Sequence, residues 1–430
     1  MDSPTKHRMI AAMIRHYCSA ALFLFTLVGA IHAQTAPLHP FPSHTAYPGA
    51  AIHVTAVDQV QQDTDVQTAY DYWKNQFVVK LAIKPFQYRI AFGKDKPKYE
   101  RTVSEGQGFG MIIVALMAGH DPEAREIFDG LWLFSRAHPS GIAPELMAWE
   151  VQTGKNNKTD SAFDGDADIA YALLLADKQW GGGGAVNYKA EATKLIGAIK
   201  NAVIGRDSHL PLLGDWVGVA VNSGKFTQWQ TRSSDWLFGH FRAWGRATGD
   251  LSWLPVLTTT LNAATQLQSE YSPKTGLLPD FVVSKTPSPF APKPSAPNFL
   301  EGKNDGNFGY NACRNPWRIG TDALLNNDPT SLALSKKMST WVEKAAGGDP
   351  RKIRAGYHLD GTPAEGSEYF TSIFVAPFGV MAMTNPSQQK WLNSIYTTVK
   401  NAREDYYEDT VTLLCLLVMT GNFWDATLVK

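Results

Sequence analysis

Two glycine-rich segments carry the acidic residues that are best placed for chemistry. Residues 104–111 read Ser-Glu-Gly-Gln-Gly-Phe-Gly-Met, and residues 163–170 read Phe-Asp-Gly-Asp-Ala-Asp-Ile-Ala. Each segment leads directly into apolar sequence with helical periodicity, so the acids are expected at helix starts, where a cleft can open. A pair of carboxyl groups held in this way predicts acid/base chemistry.

Glu105 has the sequence neighbours of a general acid. Gly106, Gly108 and Gly110 would let the backbone approach a ligand closely. The apolar run that follows, residues 111–116, would raise the pKa of a neighbouring carboxyl group by desolvation. A glutamic acid that keeps its proton near neutral pH can protonate a leaving group. On spacing alone, a glutamate that only caps the helix remains an equal alternative.

Asp164, Asp166 and Asp168 are spaced at two and four residues, so no ordinary amphipathic face explains all three. They could cap the helix that starts here, because aspartate is favoured at the N-cap and in the first turn. Calcium is the other possibility, but an EF-hand loop starting at Asp164 would need glycine and glutamate where this chain has Ile169 and Leu175. No metal site is expected.

Taken together, the two segments resemble glycoside hydrolase family 8, in which Ser-Glu-Gly-Gln-Gly-aromatic-Gly-Met and Asp-Gly-Asp-x-Asp-Ile-Ala stretches recur, the latter ending in Trp. Here the second stretch continues to Trp180 and departs from the family only at Phe163, where Ser or Thr is usual. The resemblance runs from about residue 58 to the C-terminus. It implies an all-α fold, an (α/α)6 barrel of six helical hairpins, and inverting hydrolysis of β-1,4-linked polysaccharides without a cofactor.

The resemblance also implies roles for the acids. Glu105 would be the proton donor, and Asp164 would hold the sugar at the cleavage subsite. Inversion needs a base about 6.5–9.5 Å from the acid, so that a water molecule fits between them. Many members supply an aspartate for this purpose in a Tyr-Asp-Ala-x-Arg pattern. This chain has Tyr-Asn-Ala-Cys-Arg at residues 310–314, and the amide of Asn311 has no useful basicity.

A subgroup of the family is similar in having Asn at this position and taking its base, a glutamate, from a loop ten residues earlier. That position is Glu301 here, in a long loop from Ser284 to Gly309 that contains five prolines. A loop of this length inside a compact domain is usually functional or disordered. Glu301 is therefore the expected base, and Asp305 is the second candidate.

Aromatic and polar residues near these segments suggest a groove that binds sugar. Pyranose faces stack on aromatic rings, and Trp149 and Trp216 lie in loops where they could form such platforms, as could Trp236. Tyr310, Asn311 and Arg314 adjoin the base and are predicted to contact substrate or water, although Arg314 could equally cap a helix. Other tryptophans lie inside helical stretches and are expected in the core, namely Trp132, Trp244 and Trp253.

Helical periodicity dominates the rest of the chain. Twelve stretches carry apolar residues at three- and four-residue spacing: 64–77, 108–118, 122–136, 166–178, 188–202, 233–248, 253–271, 316–326, 332–344, 369–383, 388–400 and 407–421. Strand-like alternation is confined to 78–83 and 278–283. Twelve helices suit a ring of hairpins, but periodicity cannot distinguish a closed ring from an open solenoid.

The N-terminus has the pattern of an export signal. Three basic residues precede an apolar run at 20–28, and Ala33 offers a cleavage site. We expect a signal peptide over 1–33, a flexible segment over 34–57, a catalytic domain over 58–430, and a secreted or periplasmic monomer with no membrane span after cleavage. The mature chain has 37 basic and 39 acidic residues, which argues against nucleic-acid binding.

Cys18 lies in the expected signal, which leaves Cys313 and Cys415 in the mature chain. Their separation matches no metal-ligand spacing. Two buried free thiols are the favoured interpretation, and a single disulfide is the alternative.

The substrate is the most open question at the level of sequence. We expect an endo-acting enzyme on β-glucan, either cellulose-like or mixed-linkage. Chitosan is the alternative; as a polycation it would need extra carboxylates, for which Glu145, Glu150 and Asp215 are candidates. A different class of function, a catalytically silent polysaccharide-binding protein on the same barrel, is suggested by Asn311 and by the excess of aromatic residues.

Overall fold

A computed structural model describes residues 36–155, 159–284 and 290–429. Twelve α-helices lie within these ranges: α1 (Gln59–Phe77), α2 (Ser104–Leu116), α3 (Ala124–Ala137), α4 (Phe163–Trp180), α5 (Tyr188–Val203), α6 (Phe238–Thr248), α7 (Trp253–Glu270), α8 (Asn315–Asn326), α9 (Pro329–Ala345), α10 (Ala376–Ala382), α11 (Gln389–Val399) and α12 (Tyr406–Met419). The helices expected from periodicity are all present, with shifted ends.

The even-numbered helices form an inner ring, and burial explains why. Every residue of α10 and every residue of α2 except Glu105 is buried, so neither helix has a solvent face. The odd-numbered helices are amphipathic; α3, for example, buries Ile127, Leu131 and Phe134 at four- and three-residue spacing. Each odd helix contacts an inner neighbour and leaves its polar face outside.

The inner helices form a closed ring, a point that the sequence alone could not decide. Consecutive inner helices contact one another from α2 through α4, α6, α8 and α10 to α12, and α12 contacts α2. Outer helices pair with inner ones around the whole ring, with α1 against α12 and α3 against α2. The architecture is therefore an (α/α)6 barrel, and its apolar side chains form one dominant core.

Helices α2 and α4 pack unusually closely because glycines line their contact. A Cβ atom added to Gly108 would lie 2.6 Å from the Cβ of Asp168, and one added to Gly165 would lie 2.2 Å from the Oγ of Ser104. Gly106 and Gly110 face Tyr406 and Ile90 in the same way. The expectation that the glycines beside Glu105 open the backbone to a ligand is therefore wrong: all three face protein.

Within the described ranges, seven short strands outside the helices form two antiparallel pairs and one three-stranded sheet. The antiparallel pairs are β1 (Val78–Lys80) with β2 (Tyr88–Ile90) and β3 (Arg101–Val103) with β4 (Glu150–Gln152). A three-stranded sheet has the order β5 (Gln230–Arg232), β6 (Phe281–Ser284), β7 (Pro292–Pro294). Both strands expected from the sequence are present but shorter. Strand β7 belongs to the proline-rich loop, and its antiparallel pairing with β6 fixes this part of the loop to the sheet.

The segment expected to be a flexible tether is instead fixed to the barrel from residue 38 onward. Phe41, Tyr47 and Val54 are buried. The backbone N–H of Phe41 donates to the carbonyl of Ala118, and the N–H groups of residues 51 and 52 both donate to the carbonyl of Met383. Leu38–Lys430 form one compact unit, so the folded domain starts earlier than residue 58. The expected signal peptide lies outside the described residues.

The structure confirms some of the other local predictions and contradicts others. The stretch 369–383 is α-helical only from Ala376, after a 3-10 turn at Ser372–Phe374, and Tyr369 and Phe370 lie exposed in a loop. Trp132, Trp244 and Trp253 are buried as expected, but so is Trp236, which removes it from any groove. Cys313 and Cys415 are buried free thiols, which confirms the favoured interpretation. No helix among the described residues is long and apolar enough to span a membrane.

The close contact between α2 and α4 predicts opposite effects for two glycine substitutions. Gly165→Ala places a methyl group inside the Ser104 backbone and side chain, so it should lower the free energy of unfolding by about 1–3 kcal/mol or more. Gly197→Ala in α5 meets nothing within 4 Å and should raise it by about 0.5–1 kcal/mol. Urea denaturation of both variants measures this; equal effects would contradict the packing argument.

Candidate active site

The candidate site lies where the inner helices begin. Glu105 and Asp164 occupy the second positions of α2 and α4, and Tyr406 is the first residue of α12. Two 3-10 turns, Ser233–Asp235 and Ala312–Arg314, lead into α6 and α8. Hydrogen bonds join side chains from all five of these elements, so the N-terminal ends of five of the six inner helices meet at one end of the barrel.

Arg314 is the centre of this network. Its Nη1 donates to Oε2 of Glu105 at 2.5 Å and to Oδ2 of Asp164 at 2.7 Å. Its Nη2 donates to the hydroxyl of Ser234 at 2.9 Å and to Oδ1 of Asn311 at 3.3 Å. The Arg314 side chain is only 2% exposed, and all four of these hydrogen bonds are made to other side chains of the protein. Arg314 thus holds the two carboxyl groups in place. This differs from both roles considered from the sequence, a helix cap and a contact with substrate or water.

Glu105 and Asp164 share this guanidinium but differ in their affinity for a proton. Burial, helped by the negative charge of Asp164, raises the pKa of Glu105 to about 7 although Arg314 acts against it. Burial also disfavours the ionised form of Asp164, but Arg314 and Arg232 outweigh it and hold the pKa of Asp164 below its usual value. The hydroxyl of Tyr406 adds a 3.2 Å hydrogen bond to Oε1 of Glu105. Near neutral pH, one carboxyl group can therefore carry a proton while its neighbour is ionised.

The three aspartates of the second motif turn to different partners. Asp166 accepts a 2.8 Å hydrogen bond from the backbone N–H of Met147, and Asp168 is held by His240 at 2.8 Å and by Arg318 at 2.5–2.9 Å. Of the three, Asp164 shares the guanidinium of Arg314 with Glu105. Among the described residues, no group of His, Cys, Asp or Glu side chains is arranged to hold a metal ion.

Glu301 lies beside the same network on the proline-rich loop. Its Oε1 accepts from Nη2 of Arg232 at 3.1 Å, and its Oε2 accepts from the side-chain amide of Asn311 at 2.8 Å. The side chain remains 48% exposed, so the carboxylate is both anchored and accessible to water. A continuous chain of hydrogen bonds runs from Glu301 through Asn311 and Arg314 to Glu105.

This chain explains why an amide suits position 311. Asn311 donates to one carboxylate with its nitrogen and accepts from Arg314 with its oxygen. An aspartate here could not donate while ionised, and it would put a second negative charge against Glu301. Asn311 is therefore a connector between the two carboxyl groups rather than a failed base.

Several residues that sequence reasoning missed support the site. Arg232 and Ser234 carried no motif signal, and Tyr406 begins an ordinary-looking helix. Asp235 is completely buried, its carboxyl oxygens lack hydrogen-bond partners among the described residues, and burial with the charge of Asp164 raises its pKa to about 7. Asp280 accepts from the backbone N–H groups of residues 309 and 312 at 3.0 and 2.6 Å, which fixes the turn that carries Asn311.

The predicted aromatic platforms lie around the site at different distances from it. Trp149 is partly buried, and its carbonyl accepts from the N–H of Ser104, directly before Glu105. Trp216 packs on Phe226, with ring centroids 4.9 Å apart, in a small cluster beside the Glu301 loop. Tyr310 is 41% exposed and its hydroxyl is 2.7 Å from that of Tyr369. Tyr369 and the neighbouring Phe370 extend this exposed aromatic surface.

The closed (α/α)6 barrel places a glutamic acid that can hold a proton at the start of an inner helix, and a loop beside it carries an accessible glutamate. This arrangement is that of a glycoside hydrolase. The comparisons agree. The pattern described as glycosyl hydrolases family 8 matches residues 40–421, and the chain belongs to that family. "Beta-glucanase" of Niallia circulans is 40% identical over 93% of this chain and 95% of its own length. "Endoglucanase" of Bacillus sp. (strain KSM-330) is 40% identical over 92% and 83%.

Solved structures give the same assignment. The apo structure of a beta-1,3-1,4-glucanase from Paenibacillus sp. X4 is 40% identical, covers 91% of this chain and 100% of that one, and has a TM-score of 0.85. A xylohexaose complex of a family 8 xylanase catalytic mutant from Teredinibacter turnerae has a TM-score of 0.71 at 18% identity, which shows a shared fold only.

The connector position predicts a specific pH effect. In Asn311→Asp, the new carboxylate would face Glu301 across a 2.8 Å contact, so the pair should retain a proton to higher pH. The acidic limb of the kcat profile should therefore move upward. Asn311→Ala is the control, because it removes the connector without adding charge and should lower kcat with little movement of that limb. Identical profiles for both variants would contradict this interpretation of Asn311.

Proposed function

We propose that the chain is an inverting endo-β-glucanase in which Glu105 is the general acid, Glu301 is the general base and Asp164 supports the sugar at the cleavage point. The hydrogen-bonded chain from Glu105 through Arg314 and Asn311 to Glu301 is the main support, because it connects a carboxyl group that can hold a proton with one that can accept one. Membership of family 8 is the second support.

Glu105 suits the acid step. With a pKa of about 7, it can give its proton to the glycosidic oxygen as the bond from that oxygen to the anomeric carbon breaks. Positive charge then develops on the sugar ring, in an oxocarbenium-like transition state. Asp164 remains ionised beside Arg314 and supplies a negative charge next to the reacting sugar. The two acidic residues would thus divide protonation and charge stabilisation.

Glu301 suits the base step. It has no direct hydrogen bond to Glu105; an amide and a guanidinium lie between them in the bonded chain. A water molecule bound by Glu301 would lose a proton to it while attacking the anomeric carbon from the face opposite the leaving group. One displacement on one face inverts the anomeric configuration.

The preferred substrate that we propose is β-glucan, with mixed β-1,3-1,4 linkages first. The two relatives at 40% identity and the Paenibacillus structure carry glucanase names. Two carboxylates considered for chitosan are occupied by the protein: Glu150 pairs with Arg101 at 2.5 Å, and Asp215 is buried and accepts from Ser140 at 2.5 Å. Arg232 and Arg314 would further disfavour a polycation at the cleavage point.

We also propose that the protein is exported, through cleavage after the segment 1–33, and that it acts as a monomer. The basic start and apolar run of that segment support export. N-terminal sequencing of material from the culture medium and periplasm tests the cleavage position, and light scattering of the purified protein tests the monomer.

The acid role predicts how rate depends on pH and on the leaving group. Because the proton leaves Glu105 as the pH rises through about 7, kcat/KM should fall above that pH. Glu105→Gln should lose about 10²–10⁴-fold on β-glucan but much less on an aryl glycoside whose phenolate leaves without protonation. Glu191→Gln, an acid in the first turn of α5, is the matched control. Equal losses on both substrates would remove Glu105 from the acid role.

Substrate and stereochemistry can be tested together. Reducing-sugar release from lichenan, carboxymethyl-cellulose and chitosan should rank lichenan first and chitosan last. Proton NMR of the first products should show the α-anomer before mutarotation, since a β-linkage is inverted. Initial β-anomer would rule out the single-displacement mechanism, and faster release from chitosan would overturn the substrate proposal. Binding to glucan without any product would favour a silent binding protein.

A further inference from the structure

The loop that carries Glu301 has its own internal anchor. The carboxylate of Asp305 accepts hydrogen bonds from three successive backbone N–H groups: Leu300 at 2.7 Å and Glu301 at 3.0 Å on Oδ2, and Gly302 at 2.8 Å on Oδ1. Asp305 is only 3% exposed, in contrast to the open side chain of Glu301. The backbone on both sides of the base is thus tied to a single buried group.

This arrangement decides between the two candidates for the base. A general base needs an accessible lone pair directed at the attacking water. Both oxygens of Asp305 are directed at amides of its own loop, and the residue is shielded from solvent. Glu301 uses its oxygens on two side chains but remains half exposed. Asp305 therefore cannot take the base's part without dismantling the turn that presents Glu301.

Further contacts connect the anchored turn to the barrel. Phe299 packs on Phe226 and Phe281, with ring centroids 5.5 and 5.6 Å apart. The carbonyl of Asp305 accepts from the backbone N–H of Phe281 in β6 at 2.9 Å. Leu300 packs on the same small apolar cluster as Phe299, beside Leu212 and Leu213. The turn is thus fixed at one end by apolar packing and at the other by Asp305.

We propose that Asp305 is a positioning residue: by holding the backbone from Leu300 to Gly302, it sets the position and orientation of the Glu301 side chain. This proposal rests on the proposed role of Glu301 as the base. Without the carboxylate, three N–H groups lose their acceptor and the turn can open toward water. A displacement of about 1 Å at a catalytic group can cost about 10²-fold in rate. Asp305 acts on the reaction only through Glu301.

A double-mutant cycle tests this dependence. Asp305→Ala should lower kcat on lichenan about 10–100-fold with little change in KM, because the groove aromatics are untouched. In a Glu301→Ala background the same change should cost almost nothing, since no base is left to position. Independent, multiplicative losses would overturn the proposal. Asp360→Ala is the matched control: Asp360 also accepts a backbone N–H, from Thr362, in an exposed loop, and should leave kcat unchanged.

Azide separates the base from its support chemically. Azide needs no deprotonation, so it can attack the anomeric carbon of the substrate in Glu301→Ala, yielding the α-glycosyl azide while Glu105 protonates the leaving oxygen. Asp305→Ala should gain far less, because its base is displaced rather than missing. The reverse pattern would make Asp305 the base and overturn both this proposal and the role of Glu301. Full activity of Glu301→Ala without azide would reject Glu301 as the base and, with it, any role of Asp305 in the reaction.

Amide hydrogen exchange gives a readout that does not depend on activity. In Asp305→Ala, the amides of residues 300–302 should exchange faster, while those of β6 and the inner helices keep their protection. Asp305→Asn, which retains one acceptor oxygen, should fall between wild type and Asp305→Ala in both exchange and kcat. Unchanged exchange at these three amides in Asp305→Ala would overturn the positioning role even if the activity fell.

Discussion

The buried guanidinium of Arg314 is the interaction on which the site depends. It joins the starts of α2 and α4 to the turns before α6 and α8, and its partners are the buried Asp164 and Ser234 and the partly buried Glu105 and Asn311. Removing one partner from a buried ion pair typically costs about 3–5 kcal/mol, because the other charge is left uncompensated. The inner helices therefore cannot shift their starts independently, and the distance between the acid and its neighbouring carboxylate is fixed by the fold.

The same guanidinium makes two chemically similar carboxyl groups behave differently. Each begins an inner helix, where the helix dipole favours negative charge. Asp164 receives a second positive influence from Arg232, whereas Glu105 is opposed by Asp164 and is held by the weaker hydroxyl of Tyr406. With one cation shared between two buried acids, only one ionises readily, so the proposed acid and charge-stabilising roles follow from position rather than from residue type.

Sequence could predict what local pattern determines. Helical periodicity located the twelve helices, and the two acidic motifs located Glu105 and Asp164 at helix starts. Prediction from the sequence failed where contacts between residues far apart in the chain determine the structure. The prolines and small residues of 34–57 indicated a tether, but backbone hydrogen bonds to Ala118 and Met383 fix this segment from residue 38 onward. The glycines around Glu105 indicated an open backbone, but helix packing explains them. Arg314 carried no signal of its central position, because three of its four side-chain partners lie 80 to 209 residues away.

The acid and the proposed base are held by different kinds of structure, and this follows from having Asn at position 311. An aspartate at that position would inherit the rigidity of the inner ring, as Glu105 does. A loop glutamate has no helix to fix it, so other contacts must hold it in place. These are the apolar packing of Phe299, the hydrogen bonds to Asp305 within the turn, and those of Arg232 and Asn311 to the carboxylate. Because loops tolerate change more readily than a packed helical ring, the loop of the proposed base is where this architecture can vary its substrate without disturbing the proposed acid.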